Sequence, residues 1–543
     1  MRKRGKKGSS SFIFIFIFLF LGIALYYIYN SHPVFNHPLH WAVAYIQNPN
    51  WISYLFPSPP LNKRGKDSGT ALHYAVIYNP NPEVLNWLIT QKPEVDALDT
   101  QSRSPLYYAI NPSVKKNKEK FKILLKNKAN INLKTVGDNT LLHHIMSVSD
   151  QVELLELGTK YKADLNARNK QGDSILHIAV AKNPNTKLLE WFLNRIKQVD
   201  ITNNNNLTLL HKAAAKTKNP EVIKLLLKKG ANQSAKDTEG STPLHWAAGF
   251  NPHPEVIKTL IQAGADVNAK NKYGDTPLLW GAAHSQNPKI LKEIILSKKF
   301  NPGLNGKGRS TALHKAAASN KDPAMVLFLT KQGWNVNFTD EDGNTPLHWA
   351  AAENTNTAVV DQLVKLGADV NKKDFYGNTA LHLAAKQNKN ARVLEKLLSL
   401  GANPKIINQN QESPLHYAIS NSSLKATQIL LSKGADVTVK NKDGESPLHW
   451  AAAFNKTPNL AKSLIKAGAN VNIKDKKKRT PLHRAVQWGY NPKLVTLLLQ
   501  KGANACSQDS EDRVPSDYAE EYRGISDLIS YKKLKIATVK CGI

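Results

Sequence analysis

Apolar residues in this chain recur at i, i+3 and i+4 over short stretches, the spacing of one helical face. Between Asp237 and Lys270, Leu244, Ala247 and Ala248 make one such face, and Val256, Ile257, Leu260 and Ile261 make a second. Asn251-Pro252-His253-Pro254 separates the two and Gly264 closes the second, so the pattern predicts two short helices with a tight connection. Thr242 is placed to cap the first helix, with Pro243 in its first turn, where a missing amide proton costs little. Asp237-Thr238-Glu239-Gly240 has turn chemistry and predicts a hairpin-like loop before the pair. Neither helix is long enough to be stable alone, so burial against neighbouring units must hold both.

The unit recurs. Its Thr-Pro-Leu-His core, or a stand-in, begins at His37, Thr70, Ser104, Thr140, Ser174, Thr208, Thr242, Thr276, Thr311, Thr345, Thr379, Ser413, Ser446, Thr480 and Val514, at intervals of 33 to 36 residues. A fixed period in this range signals stacked repeats. Through these cores the chain resembles an ankyrin-repeat protein over residues 31 to 530. The resemblance implies an all-α fold, an ankyrin-repeat solenoid of about fifteen helix-turn-helix units with short hairpin loops, counted as one domain because each unit contacts only its neighbours.

The period exceeds the usual length of about 33 by roughly one residue. The extra residue is expected between the helices, where Asn-Pro recurs, for example at Asn48-Pro49, Asn79-Pro80, Asn183-Pro184, Asn219-Pro220 and Asn287-Pro288. There Asn is expected to cap the second helix while Pro restricts the turn. The longer gap after Ser104, carrying Lys115 to Lys120, is expected to protrude as a basic turn. In the fifteenth copy Asp517 stands where twelve of the others have His, as suits a solvated end cap.

The amino-terminal pattern differs. Residues 12–29 run for eighteen positions without a charge, within the range of a bilayer-spanning helix. Their alternating Phe and Ile favour a strand, but a lone strand in lipid leaves its backbone groups unpaired. The expected plan is a basic segment 1–11, a transmembrane helix 12–29, a repeat array 30–530 and a basic tail 531–543. Arg2, Lys3, Arg4, Lys6 and Lys7 precede the apolar run and no Lys or Arg follows until Lys63. The positive-inside rule therefore predicts a single-pass membrane protein with its amino terminus in the cytoplasm and its repeats on the opposite side. The run exceeds a usual signal core and no small-x-small site follows it; cleavage, and with it a secreted form, stays open. The first unit is apolar, with Trp51, Tyr54, Leu55 and Phe56 behind its core, and is expected to pack on or near the membrane.

Charge and chemistry refine this picture. Seventy-four Lys and Arg against 42 Asp and Glu give a net charge of +32, which favours anionic partners. The charge is spread along the array without a compact basic block, so nucleic acid is not the expected partner. Two cysteines, Cys506 and Cys541, exclude a disulfide framework as a major source of stability and leave the compartment open. Twelve of the 17 histidines occupy the repeat core, where the family resemblance implies that each holds a loop and links neighbouring units. The other five show no HExxH spacing. Gly303-Leu304-Asn305-Gly306-Lys307 fails the spacing of a phosphate-binding loop, and no hydrolase or kinase motif appears; no catalytic residue, cofactor or metal is expected.

The position after the core His varies most, with nine aromatics and three Lys or Arg among fifteen copies. By the resemblance it lies near the surface where partners dock. Trp246, Trp280, Trp349, Tyr417, Trp450 and Arg484 are the candidate partner-binding residues, since aromatics and Arg anchor interfaces; packing between repeats is the competing explanation. The expected function is a membrane-anchored scaffold for protein-protein interaction with an acidic partner. Polyanion binding, to nucleic acid or anionic lipid, is one alternative. A secreted host-directed effector of an intracellular bacterium is another, motivated by Lys- and Asn-rich sequence.

Overall fold

The computed structural model describes residues 37–148, 152–183, 185–196, 198–454, 458–488, 492–518 and 529–539. The expected anchor at 12–29 lies outside them; among the described residues no helix is long and apolar enough to cross a membrane. They fall into two compact units, one within Met1–Thr238 and Gln262–Gly264, the other within Glu239–Ile261 and Ala265–Ile543.

Fourteen helix pairs are described, from Pro38–Tyr45 with Pro49–Leu55 to Pro481–Gln487 with Pro492–Gln500. Of the expected fifteenth unit the structure describes the core start at Val514 to Tyr518 and a last helix, Ile529–Val539. The pair read from sequence is found at Pro243–Phe250 and Pro254–Gln262, with Gly264 at a φ of +94° behind it.

Within each unit, first helices pack on first helices. Ile175–Lys182 lies against Leu209–Lys216 in one unit, and Ala312–Ser319 against Pro346–Glu353 in the other. Small side chains permit this approach: Ala316, Ala317, Ala350 and Ala351 are fully buried. Second helices form a parallel row, as where Pro323–Lys331 meets Thr357–Lys365, and close the core with Val326, Leu329, Val359 and Leu363. Each such aliphatic side chain contributes about 2 kcal/mol by leaving water.

Between the two helices asparagine does more than cap. In Pro346–Glu353 the residue that follows the helix is Asn354, whose Nδ2 donates to Ala317 O (2.8 Å) and Asn320 O (2.7 Å) of the preceding repeat. Asn320 and Asn388 make the same pair of bonds one repeat earlier and later. Two residues on, Asn356 caps the second helix through Ala358 N (3.0 Å) and donates to Lys321 O (2.6 Å). Asn48, Asn219 and Asn287 are caps followed by Pro, as expected. Asn79 and Asn183 instead end their first helices, and Asn81 and Asn185 take the capping position.

The expected protruding basic turn is found at Lys115 and Lys116, which are exposed, but not through Lys120. Asn117–Lys126 is a helix, and Lys120 is buried, its ammonium donating to Val76 O and Asn79 O. Those carbonyls sit where the asparagine column would bond, three and six positions after the preceding core His. Lysine has replaced a missing asparagine from a different place in the chain, and burial lowers its pKa to about 8.

The loops form a ladder of single backbone bonds, such as Phe375 N to Asp342 O and Gln409 N to Tyr376 O, both 2.9 Å. Gly377 has a φ of +82°, and a Cβ there would meet Gln409 N at 2.8 Å. Both the backbone and the close approach of the next loop therefore require glycine.

Candidate functional site: the histidine column and the aromatic face beside it

The core His is the third residue of its helix, where its ring can turn back to the cap. Thr345 N donates to His348 Nδ1 at 3.2 Å, so the ring proton belongs on Nε2, which donates to Asn378 O at 3.2 Å. Asn378 immediately precedes the next cap. The same two bonds run from His73 to Arg103 O, His177 to Leu207 O, His314 to Asn344 O and His449 to Arg479 O. Each ring thus ties one repeat's cap to the next repeat's loop. Burial lowers the pKa to about 4 at His177, His382 and His449 and to about 3 at His416. These rings are neutral at pH 7 with both nitrogens committed, which removes them from acid-base or metal chemistry.

Asp517, the stand-in of the fifteenth copy, keeps only half the device. Its carboxylate accepts from Val514 N at 2.7 Å, but a carboxylate has no N–H to pass forward.

The six candidate residues all occupy half-buried seats beside this column. Trp349 donates its indole N–H to Asp340 Oδ2 at 2.8 Å and stands edge-on to His314, 5.6 Å between ring centres. Trp450 bonds Glu445 Oε2 at 3.0 Å and stands edge-on to His416 at 5.2 Å. Tyr417 accepts from Asn408 Nδ2 at 3.0 Å and meets His382 edge-on; burial first, then Glu412, raises its pKa to about 12. Arg484 is ion-paired with the same Glu445 and its side chain is 14 % exposed. Trp280 lies over Gly249, where a Cβ would come within 2.7 Å of the indole nitrogen. Trp246 packs on Phe250 at 5.2 Å. Lys212 and Lys315, at the same register, are paired with Asp173 and Asp275. The variable position is therefore seated between repeats, with its polar atoms bound mostly by loop carboxylates and amides.

A family model for ankyrin repeats, in blocks of three copies, matches residues 39–135, 142–237, 176–271, 214–302, 278–374, 351–441 and 438–509. The chain belongs to the ankyrin-repeat family. Ankyrin repeats generally act as scaffolds for protein-protein interaction. No curated protein matches the chain. Among solved structures, the human ASB11 ankyrin repeat domain is 26 % identical over 41 % of this chain and 96 % of that one, with a TM-score of 0.37.

What reading by copies missed is the ankyrin position one helical turn further on, five residues after the core His. It exposes Phe250 (38 %), Phe454 (54 %) and Trp488 (43 %) in one unit, and Tyr45 (44 %) and Tyr78 (43 %) in the other. Phe250 stacks on His284 at 5.9 Å, and Trp280 meets His284 at 4.4 Å; Tyr45 meets Tyr78 at 6.3 Å. The signal was present, because residues four apart share a helical face and Trp41-Tyr45, Trp246-Phe250 and Trp450-Phe454 have that spacing.

Proposed function

We propose that the chain is a membrane-anchored ankyrin scaffold, held by residues 12–29, that binds an acidic protein partner on the first helices. The observation that carries this reading is the set of exposed rings five residues after the core His, Tyr45 and Tyr78 in one unit and Phe250, Phe454 and Trp488 in the other. Its rings reach solvent, whereas those of the register beside the His are seated in the stack and form its floor. An acidic partner is favoured because loop carboxylates such as Asp173, Asp275 and Glu445 are engaged internally, while Lys182, Lys216 and Lys386 on first helices are exposed. Trp246, Trp280, Trp349, Tyr417, Trp450 and Arg484 then shape the face from below, and the repeats lie across the membrane from the cytoplasmic amino terminus.

Proximity labelling from the full-length tagged chain, compared with a Phe250→Ala/Phe454→Ala/Trp488→Ala variant, tests this. The expected result is one dominant labelled protein of acidic surface, lost in the variant at unchanged circular dichroism, with repeats accessible to protease only from the non-cytoplasmic side. Labelling that does not change in the variant sinks the aromatic face. Capture only of polyanions, vanishing at moderate salt without selectivity, would favour the charge-driven alternative.

A further inference from the structure

Several repeats close their second helix in one way. Gly230, Gly264, Gly367 and Gly401 stand nineteen residues after their core His and turn the chain at φ of +89° to +94°. The next residue, Ala231, Ala265, Ala368 or Ala402, is thereby buried and donates its N–H to a leucine carbonyl of the helix at 3.0 Å. In the repeat of His177 that turning position belongs to Ile196, and a side chain branched at Cβ is strongly disfavoured there. A cavity of about 570 Å³ opens at this place, within the range of about 300–1,000 Å³ that small-molecule sites have. Leu176, Phe192, Ile196 and Ile201 give it apolar walls, and the exposed Arg168 and Arg195 line it as well.

Both guanidiniums are held in place without a counter-charge. Arg195 lies over the Trp191 ring, 3.8 Å from its centre, and its Nη1 donates to Trp191 O at 2.7 Å. Arg168 Nη1 donates to Gly172 O at 2.7 Å and to Thr202 O at 2.6 Å. Arg64 makes the same pair of bonds three repeats earlier, to Ser68 O and Leu98 O, and it is ion-paired with Glu94. Glu94 stands thirty residues after its arginine, whereas thirty residues after Arg168 the chain has Gln198, another residue of the cavity wall. Among the described residues neither Arg168 nor Arg195 has a carboxylate partner. The neighbouring loop carboxylates are engaged elsewhere: Asp164 accepts from Asn166 N, Asp200 from Asn232 N, and Asp173 is paired with Lys212. We infer that this cavity binds a monocarboxylate with an apolar tail, of the fatty-acid or aryl-acid kind, its carboxylate taking beside Arg168 the place that Glu94 has beside Arg64. Two positioned guanidiniums with N–H donors left over suit a carboxylate, and the apolar walls suit the tail. The site uses none of the exposed rings of the proposed docking face and stands whether or not that face binds a protein.

Equilibrium dialysis of the purified full-length chain against octanoate and phenylbutanoate tests the site, with octan-1-ol, acetate and inorganic phosphate as controls and circular dichroism as the check on folding. The expected result is one saturable site for the tailed carboxylates. Arg168→Gln and Arg195→Gln should each weaken octanoate about tenfold through the loss of charge-assisted hydrogen bonds. Gln198→Glu, at an exposed position, supplies Arg168 with an internal carboxylate and should weaken octanoate by about tenfold as well, at unchanged circular dichroism. No saturable binding, octanol bound as tightly as octanoate, acetate or phosphate competing as well as octanoate, or affinity indifferent to Gln198→Glu would overturn the assignment.

Discussion

A core histidine is worth more to this chain than its volume. Replacing His348 with Ala strands Thr345 N–H and Asn378 C=O in the interior and takes away the ring against which neighbours pack. His348→Ala is expected to cost about 3 kcal/mol, combining unpaired buried groups with a cavity, measured as the shift in urea midpoint by circular dichroism. Three repeats away, at the partly exposed Phe250, Phe250→Ala removes ring contacts with Trp246 and His284 and should cost about 1 kcal/mol on the same measurement. A histidine acting as a ligand or base would show the reverse, function lost at unchanged stability. The carboxylate at Asp517 illustrates the same logic, since it accepts from Val514 N of its own copy but has no proton to send onward.

At the scale of the helix pair, the asparagine column decides how one repeat grips the next. Asn354 donates twice to the preceding repeat and accepts from Asn356 N at 2.9 Å. Asn354→Ala leaves those three groups unpaired and is expected to destabilise the contact by about 2 kcal/mol. Because repeats couple mainly to nearest neighbours, hydrogen exchange should accelerate in Ala312–Ser319 and Pro346–Glu353 and stay unchanged in Leu209–Lys216. Acceleration everywhere would mean that the array unfolds as one block. The Asn-Pro pairs were visible in the sequence, but not which Asn ends a helix and which begins the next: Asn79 and Asn183 end theirs with a second Asn two residues on, whereas Asn48, also followed by Asn50, begins one. Lys120 was not legible as a column member at all: it lies on a second helix and reaches the same carbonyls through a long side chain, a substitution only the packed neighbour reveals.

Over the whole molecule the repeated histidines add up to a pH dependence. Burial holds His177, His382 and His449 at a pKa of about 4 in the fold, against 6.5 when unfolded. Between those values the unfolded chain binds more protons, so stability rises with pH. The stabilisation is complete above pH 6.5 and is lost as pH falls from 6.5 towards about 4. Thermal unfolding across this window should show a melting temperature that drops steeply, and His382→Gln should flatten the slope. An unchanged melting temperature down to pH 4.5 would contradict buried neutral rings.

The sequence by itself determined the period, the helix pairs, the caps and the family, because each repeat must carry its own turn residues, helix signals and buried stripe in local order. It also determined which residues had chemistry to offer, including the aromatics at that register in nine of the fifteen copies. Tertiary structure decided where those side chains spend their polar atoms. Trp349, Trp450 and Arg484 are seated against carboxylates several residues or one repeat away, and the solvent-facing rings stand one turn further along the helix. Spacing along one chain assigns residues to a face, whereas burial of that face depends on what the neighbouring repeat places against it.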